Sequence, residues 1–397
     1  MGERAKPIID IDTHFEPGRS WLDDHPQLAA QLPEYSVATA TMRAQVGDLL
    51  AGVPMEDRPP IEDLLPPGIA AILGQTKIDG YGFEGSAMHT QTDASSRLAW
   101  MDRVGIDMAN TICLEAAGYA RYLEDRDLAR RAVSVCNTWL ADQVDGHQDR
   151  LMPLASIDAT DVEWSIAELT RMRARGSRSF LIGALPAPGY PPMHERFEPL
   201  WSAAEDLGMI AFLHAGQNPA SYDPAWAHYP DTMVLRQLGA CQNHQAAQLM
   251  LNGMVFGGVF HRHPKLTVVM AELGIHWFSG TVEHMESRGP AIPESAVYMG
   301  RYPYELTPAE FVRRNVRITP LPRAHQSPVR LLEDYPECVV FSSDYAHNES
   351  NPEPTAHYVA LLAEVDADRR ASFLGANIAD CYARMGDPLP VTAVATR

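Results

Sequence analysis

"FEPLWSAAEDLGMIAFLHAG", residues 197–216, reads as one helix followed by one buried strand. Pro199 suits a first helical position, Gly208 ends the helical pattern, and the β-rich run "MIAFLHAG" (209–216) finishes on His214. The same alternation extends in both directions. Strand-like runs recur at 7–14, 108–115, 150–157, 177–184, 266–273, 315–319 and 338–345, and helical patterns that end at Gly105 and Gly176 lie between them. Strands alternating with helices are the mark of parallel βα units. Eight units predict a (β/α)8 TIM barrel, one domain over residues 1–397, whose strand carboxyl ends converge on one mouth.

Two stretches break the alternation. Residues 15–94 separate the first strand from the second and contain "GVPMEDRPPIEDLLPPG" and "IDGYGFEGS". An insertion of that length after a barrel strand is expected to form a lid or partner surface. Residues 280–314 read as a second, smaller insertion. The net charge of -19, from 51 acidic and 32 basic residues, repels polyanions and excludes nucleic acid as a partner. Five cysteines without metal-type spacing argue for a reducing compartment. "MGERAKP" has no apolar signal region and "MLNGMVFGGVF" is too short to span a bilayer, so a soluble cytoplasmic protein acting on a small molecule is expected.

The chemistry concentrates at strand ends. In "IIDIDTHFEP" (8–17), Asp10, Asp12 and His14 share one face of an extended strand, and Glu16 follows. Across the mouth stand His214, Glu272 at the end of "LTVVMAEL", and Asp344 with His347 in "CVVFSSDYAH". Asp12, His14, His214 and Asp344 form a mixed imidazole and carboxylate set suited to a divalent metal. Asp10, deeper on its face, reads as outer support. His276, Trp277 and Tyr345 are candidate substrate contacts, with His244 beside them, while His261 and His263 read as surface histidines at the opposite end of the barrel.

"DIDTHFEP", "FEPLWSAAEDLGMIAFLHAG", "GGVFHRHPKLTVVMAELGIHW" and "VVFSSDYAHNE", in this order, resemble the amidohydrolase superfamily, specifically the amidohydrolase-related group that includes aminocarboxymuconate semialdehyde decarboxylase. The resemblance implies a distorted TIM barrel whose metal is held by Asp12, His14, His214 and Asp344. Two departures matter. The semialdehyde decarboxylase carries a catalytic histidine on its sixth strand, where this chain has Glu272, and no lysine ends "SRSFLIGALPAP" to bridge two metals.

The expected activity is therefore a metal-dependent hydrolase or nonoxidative decarboxylase acting on a small carboxylate, amide, ester or lactone. Asp344 and Glu272 are its catalytic acids, and zinc is the expected ion, with manganese or iron as alternatives. A second reading gives Glu16, Glu272 and His347 to a second metal, as in a dinuclear iron or manganese oxygenase resembling the 2-aminoisobutyric acid hydroxylase subunits. A third is a non-catalytic partner subunit. A homo-oligomer is expected, with a hetero-oligomer as the alternative.

Overall fold

The computed structural model describes residues 6–16, 20–32, 92–215, 234, 237–238, 241–290, 300–321, 326–347 and 350–390. Most of the expected 15–94 insertion lies outside them. The strands in chain order are β1 (Ile9–His14), β2 (Met108–Ile112), β3 (Leu151–Pro153), β4 (Ala155–Ser156), β5 (Ser179–Leu181), β6 (Ile210–His214), β7 (Val268–Ala271) and β8 (Val316–Ile318). Neighbours pair in parallel, β1 to β3 in one sheet and β4 to β8 in another.

Two irregular segments connect the sheets. Leu154 passes from β3 to β4 and donates its N–H to the Thr111 carbonyl. Residues 338–345 run between β8 and β1. On one side the Ile318 N–H donates to Cys338 and the Val340 N–H to Ile318; on the other the Asp344 N–H donates to Asp12 and the His14 N–H to Tyr345. The ladder thus returns to β1, and the chain forms a distorted (β/α)8 barrel.

Three sequence expectations are corrected here. The run 150–157 is two short strands, because Pro153 has no N–H and the chain shifts its pairing from β2 to β5 at that point. The run 338–345 makes only isolated bridges, because the Ser343 N–H is drawn to the Asp10 carboxylate and Asp344 turns to a φ of 56°. The two ends of 280–314 are not insertion but carry the helices Phe278–Glu286 and Pro308–Asn315 of the layer between β7 and β8, while 291–299 lie outside the described residues.

Side-chain alternation divides the core in two. Ile9, Ile11, Met108, Ile112, Leu181, Phe212 and Val269 fill the barrel interior, while Ala109, Phe180, Leu213, Met270 and Ile318 pack outward against the helices. Each fully buried Leu or Phe contributes roughly 1.5–3 kcal/mol. Helix Asn377–Arg384 adds Ile378, Cys381 and Tyr382 to the interior cluster and closes the floor of the barrel. Just before it, Gly375 lies against the start of β1, where any Cβ would collide with the Pro7 carbonyl.

Helix Arg126–Gln143 is tied to β4 by Asn137, whose Nδ2 donates to the Ser156 carbonyl at 2.9 Å and to Glu168 at 2.7 Å, while the Ser156 N–H donates to Asn137 Oδ1 at 2.9 Å. The group is buried, so its loss leaves polar atoms without partners. Asn137→Ala is expected to destabilise the barrel by about 1–3 kcal/mol in denaturant unfolding. A midpoint equal to wild type would show that water replaces the amide at no cost.

Candidate metal centre

Ile9 and Ile11 point into the barrel, which leaves the question of how Asp12 and His14 reach the mouth. The register of β1 against β2 shifts between Asp10 and Thr13, and such an irregularity re-aims the side chains that follow it. Below it, Asp10 Oδ1 accepts from the N–H groups of Asp12 at 3.2 Å and Ser343 at 3.0 Å, holding β1 against the last segment. Burial pushes the Asp10 carboxyl up to about 7. His214 ends β6, and Glu272 and Asp344 follow the ends of β7 and of the segment from Cys338. Both acids have left-handed backbones, at φ 55° and 56°, the only such non-glycine residues among those described. Strain of this kind, costing roughly 1–3 kcal/mol each, gathers at functional sites.

His14 Nε2 lies 3.3 Å from Asp12 Oδ1 and 3.2 Å from Asp344 Oδ1, and His214 Nε2 lies 3.5 Å from Asp12 Oδ1. Asp12, His14, His214 and Asp344 are each only 1% exposed. Despite this burial, both oxygens of Asp12, both of Asp344 and His14 Nε2 have no well-directed hydrogen bond, only close contacts among themselves and with the neighbouring imidazoles, an arrangement that is costly unless another group satisfies them. Ligands about 2.0–2.1 Å from a four-coordinate ion stand ~3.4 Å from one another. The observed spacings match that figure for Asp12, His14 and His214, whose donor atoms all lie within 4.8 Å of one another, so these three fit a divalent metal, and Asp344 adjoins them through its 3.2 Å contact with His14.

The outer nitrogens of both imidazoles are committed. His214 Nδ1 is 2.9 Å from the Ala215 carbonyl, and His14 Nδ1 is 3.0 Å from Glu16 Oε1. These contacts fix ring orientation and direct each Nε2 to the centre. Glu16 also accepts from the Leu114 N–H.

A second, overlapping group comprises His14, Glu272, Asp344 and His347, whose donor atoms lie within 4.8 Å of one another. His347 stacks on His14 with ring centroids 3.7 Å apart, and its Nδ1 is 2.9 Å from Asp344 Oδ1. Glu272 Oε2 is 3.1 Å from His214 Nε2, and its side chain is the most exposed of the set at 17%.

Opposed charges set the electrostatics. Burial disfavours the charged form of both His14 and His214, yet the surrounding carboxylates outweigh it and hold each imidazole above its ordinary value. Burial likewise acts to raise Asp12 and Asp344, but the histidines keep both below the usual carboxylate range. Burial and His14 act to lower His347, whereas Asp344 and Glu16 bring it up to about 10. Glu272 is pushed up to about 7, first by burial and then by Asp344. The carboxylates draw positive charge to one buried point, which is what a cation site requires.

The other sequence candidates divide. Tyr345 is buried, with its ring stacked on Trp100 at 3.8 Å. Trp277 Nε1 donates to the carbonyls of Leu273 and Gly274, and its ring stacks on His244 at 5.9 Å. His276 is exposed. His261 is exposed as expected, but His263 is not a surface histidine: it is buried, with Nε2 2.9 Å from Glu198 and Nδ1 3.4 Å from Glu205. A cavity of about 500 Å³ opens over the ends of β4 and β5, with Ser156, Ile157, Leu181 and Ile182 among its walls; none of Asp12, His14, His214, Glu272, Asp344 and His347 lines it. Sequence reasoning missed Arg97, fully buried and bonded to the His14 carbonyl. Its signal was available: Arg97 occupies the stripe of Trp100, Met101 and Val104, where the spacing predicts apolar residues.

The sequence matches the amidohydrolase family model over residues 9–384. No curated protein matches it. Among solved structures, an amidohydrolase from Mycobacterium avium subsp. paratuberculosis K-10 superimposes with a TM-score of 0.64 at 18% identity, covering 95% of this chain and 98% of that one. 5-Carboxyvanillate decarboxylase from Sphingomonas paucimobilis gives 0.63 at 19% identity, covering 96% and 99%. The same enzyme from Novosphingobium aromaticivorans, solved with manganese and 4-hydroxy-3-methoxy-5-nitrobenzoic acid, gives 0.63 at 18% identity, covering 96% and 97%. At these identities the likeness concerns the fold. No helix among the described residues is long and apolar enough to cross a membrane.

Proposed function

The chain belongs to the amidohydrolase family, and from that premise we propose that it hydrolyses or nonoxidatively decarboxylates a small substrate at a single divalent metal ion. The observation that carries this reading is the convergence of Asp12, His14 and His214 within 4.8 Å, with Asp344 3.2 Å from His14 and buried carboxylate oxygens that lack well-directed hydrogen bonds. A divalent ion held by Asp12, His14 and His214 beside Asp344 would supply Lewis acidity and a bound water with its pKa lowered to about 7.

The rest of the chemistry belongs to the side chains. Asp344 Oδ1 faces both His14 and His347, at 3.2 and 2.9 Å, and these imidazoles hold it ionised as the proton acceptor. Glu272, the most exposed acid of the group, faces arriving substrate and serves as the second proton-transferring group, delivering a proton to a leaving group or to the carbon that loses carbon dioxide. The cavity over β4 and β5 is of a size for a single-ring molecule. Hydroxylated aromatic acids are the first substrates to test, since two of the similar structures are decarboxylases of 5-carboxyvanillate.

The test is a panel of hydroxybenzoates, amides, esters and lactones, offered to protein reconstituted separately with zinc, manganese and iron. Carbon dioxide from an aromatic acid identifies a decarboxylase; a new carboxylate from an amide, ester or lactone identifies a hydrolase. Turnover that consumes oxygen, or no turnover with any ion, overturns the proposal.

A dinuclear oxygenase is the second reading, favoured by the overlapping group of His14, Glu272, Asp344 and His347. The single ion is preferred because the two groups share His14, and Glu16, the further acid of the dinuclear reading, is already engaged with His14 Nδ1 and the Leu114 N–H. One metal per chain is therefore expected by elemental analysis in both wild type and Glu272→Gln. Two equivalents in wild type that fall to one in the variant would move oxygen activation ahead of hydrolysis and decarboxylation.

A further inference from the structure

Arg97 stands in the helix Ala94–Val104, outside the strands, and is completely buried. Its Nη2 donates to the carbonyl of His14, and its Cζ lies 4.6 Å from the Phe15 ring centroid and 5.1 Å from that of Tyr345. Tyr345 is held from another direction by Trp100, stacked at an interplanar angle of 6°, and Trp100 Nε1 donates to the Pro352 carbonyl at 3.3 Å. One guanidinium therefore touches the residue that ends β1 and the residue that follows Asp344. Between these two, the His14 N–H donates to the Tyr345 carbonyl and Thr13 bridges Tyr345.

We propose that Arg97 is a positioning residue of the metal centre, which clamps the His14 backbone to the Tyr345 ring and so fixes the distance between the ligands of the first strand and Asp344 of the last segment. The inference rests on the metal reading given above. A buried cation next to a cation site repels the ion, so charge alone does not explain its presence. Burial lowers the guanidinium only to about 10, which leaves it charged at neutral pH. Shape accounts for its presence better. A planar fork donates to a carbonyl in its plane while it packs aromatic rings on its faces, a combination that the compact ammonium of lysine does not reproduce.

The experiment compares wild type, Arg97→Lys and Arg97→Met for zinc and manganese affinity, by competition with a chromophoric chelator, and for melting temperature in excess chelator. Positioning predicts that both variants bind metal at least tenfold more weakly, within the tenfold to hundredfold range of supporting residues around metal sites, while Arg97→Lys melts within a few degrees of wild type. Native affinity in Arg97→Lys overturns the inference by showing that charge suffices. Unchanged or tighter binding in Arg97→Met overturns it by showing that the clamp is dispensable. If neither variant folds, Phe15→Leu and Tyr345→Leu, which loosen the seat of the guanidinium but keep it, are expected to weaken binding severalfold; native affinity in both overturns the inference. A wild-type protein that binds neither metal overturns the metal reading and this inference together, whereas metal-binding wild type with metal-binding variants overturns this inference alone.

Discussion

Asp344→Asn is expected to lower turnover by more than a hundredfold on any substrate that the panel identifies. Asparagine keeps the volume of the side chain, so packing around this residue, 1% exposed, has little reason to change. It removes the negative charge that faces His14 Nε2 at 3.2 Å and His347 Nδ1 at 2.9 Å, and with it the proton acceptor. General acid–base catalysis by one residue contributes roughly 10²–10⁴-fold, and loss of an anionic ligand adds to that. Measured at saturating metal, a fall in kcat with an unchanged melting temperature separates the loss of the base from the loss of the ion. Activity within fivefold of wild type would remove Asp344 from the catalytic role.

The strand-end residues of the site were legible because their chemistry is exceptional where it stands. Carboxylates and imidazoles next to Ile9, Ile11, Phe212 and Leu213 have no apolar explanation, and the barrel rule brings strand ends together whatever their separation in sequence. The backbone detail was less legible. The apolar content of "CVVFSSDY" predicts a strand, but what ends regular pairing is a tertiary contact, the Ser343 N–H reaching Asp10 across 333 positions. Burial of His263 was hidden for the same reason, since Glu198 and Glu205 lie on a helix some sixty residues earlier. Arg97 was legible only in part. Its place on the apolar stripe of its helix marks it as buried, but the partners that make the burial tolerable, the His14 carbonyl and the rings of Phe15 and Tyr345, are distant in sequence.

His214→Ala is expected to strip most of the bound metal while the barrel remains folded. The two halves of this expectation have separate causes. His214 ends β6, so the ladder beneath it, in which Ala211, Phe212 and Leu213 pair with Val268, Val269 and Met270, does not depend on its ring. The apolar layers that stabilise the barrel lie below the mouth, where Phe212 and Ile210 belong to the interior cluster. Metal binding is expected to depend on the ring, because in the proposed site His214 supplies one of the two imidazole nitrogens, already aimed by its contact with the Ala215 carbonyl. Removal of a residue that only supports a ligand weakens metal binding about 10–100-fold; removal of the ligand itself is expected to exceed that. The variant, dialysed against trace metal and analysed for elements, should hold well under one equivalent where wild type holds one, with circular dichroism matching the wild-type apoprotein. One full equivalent at wild-type affinity would mean that the ion sits instead among His14, Glu272, Asp344 and His347, and Glu272 would then pass from a substrate-facing acid to a ligand.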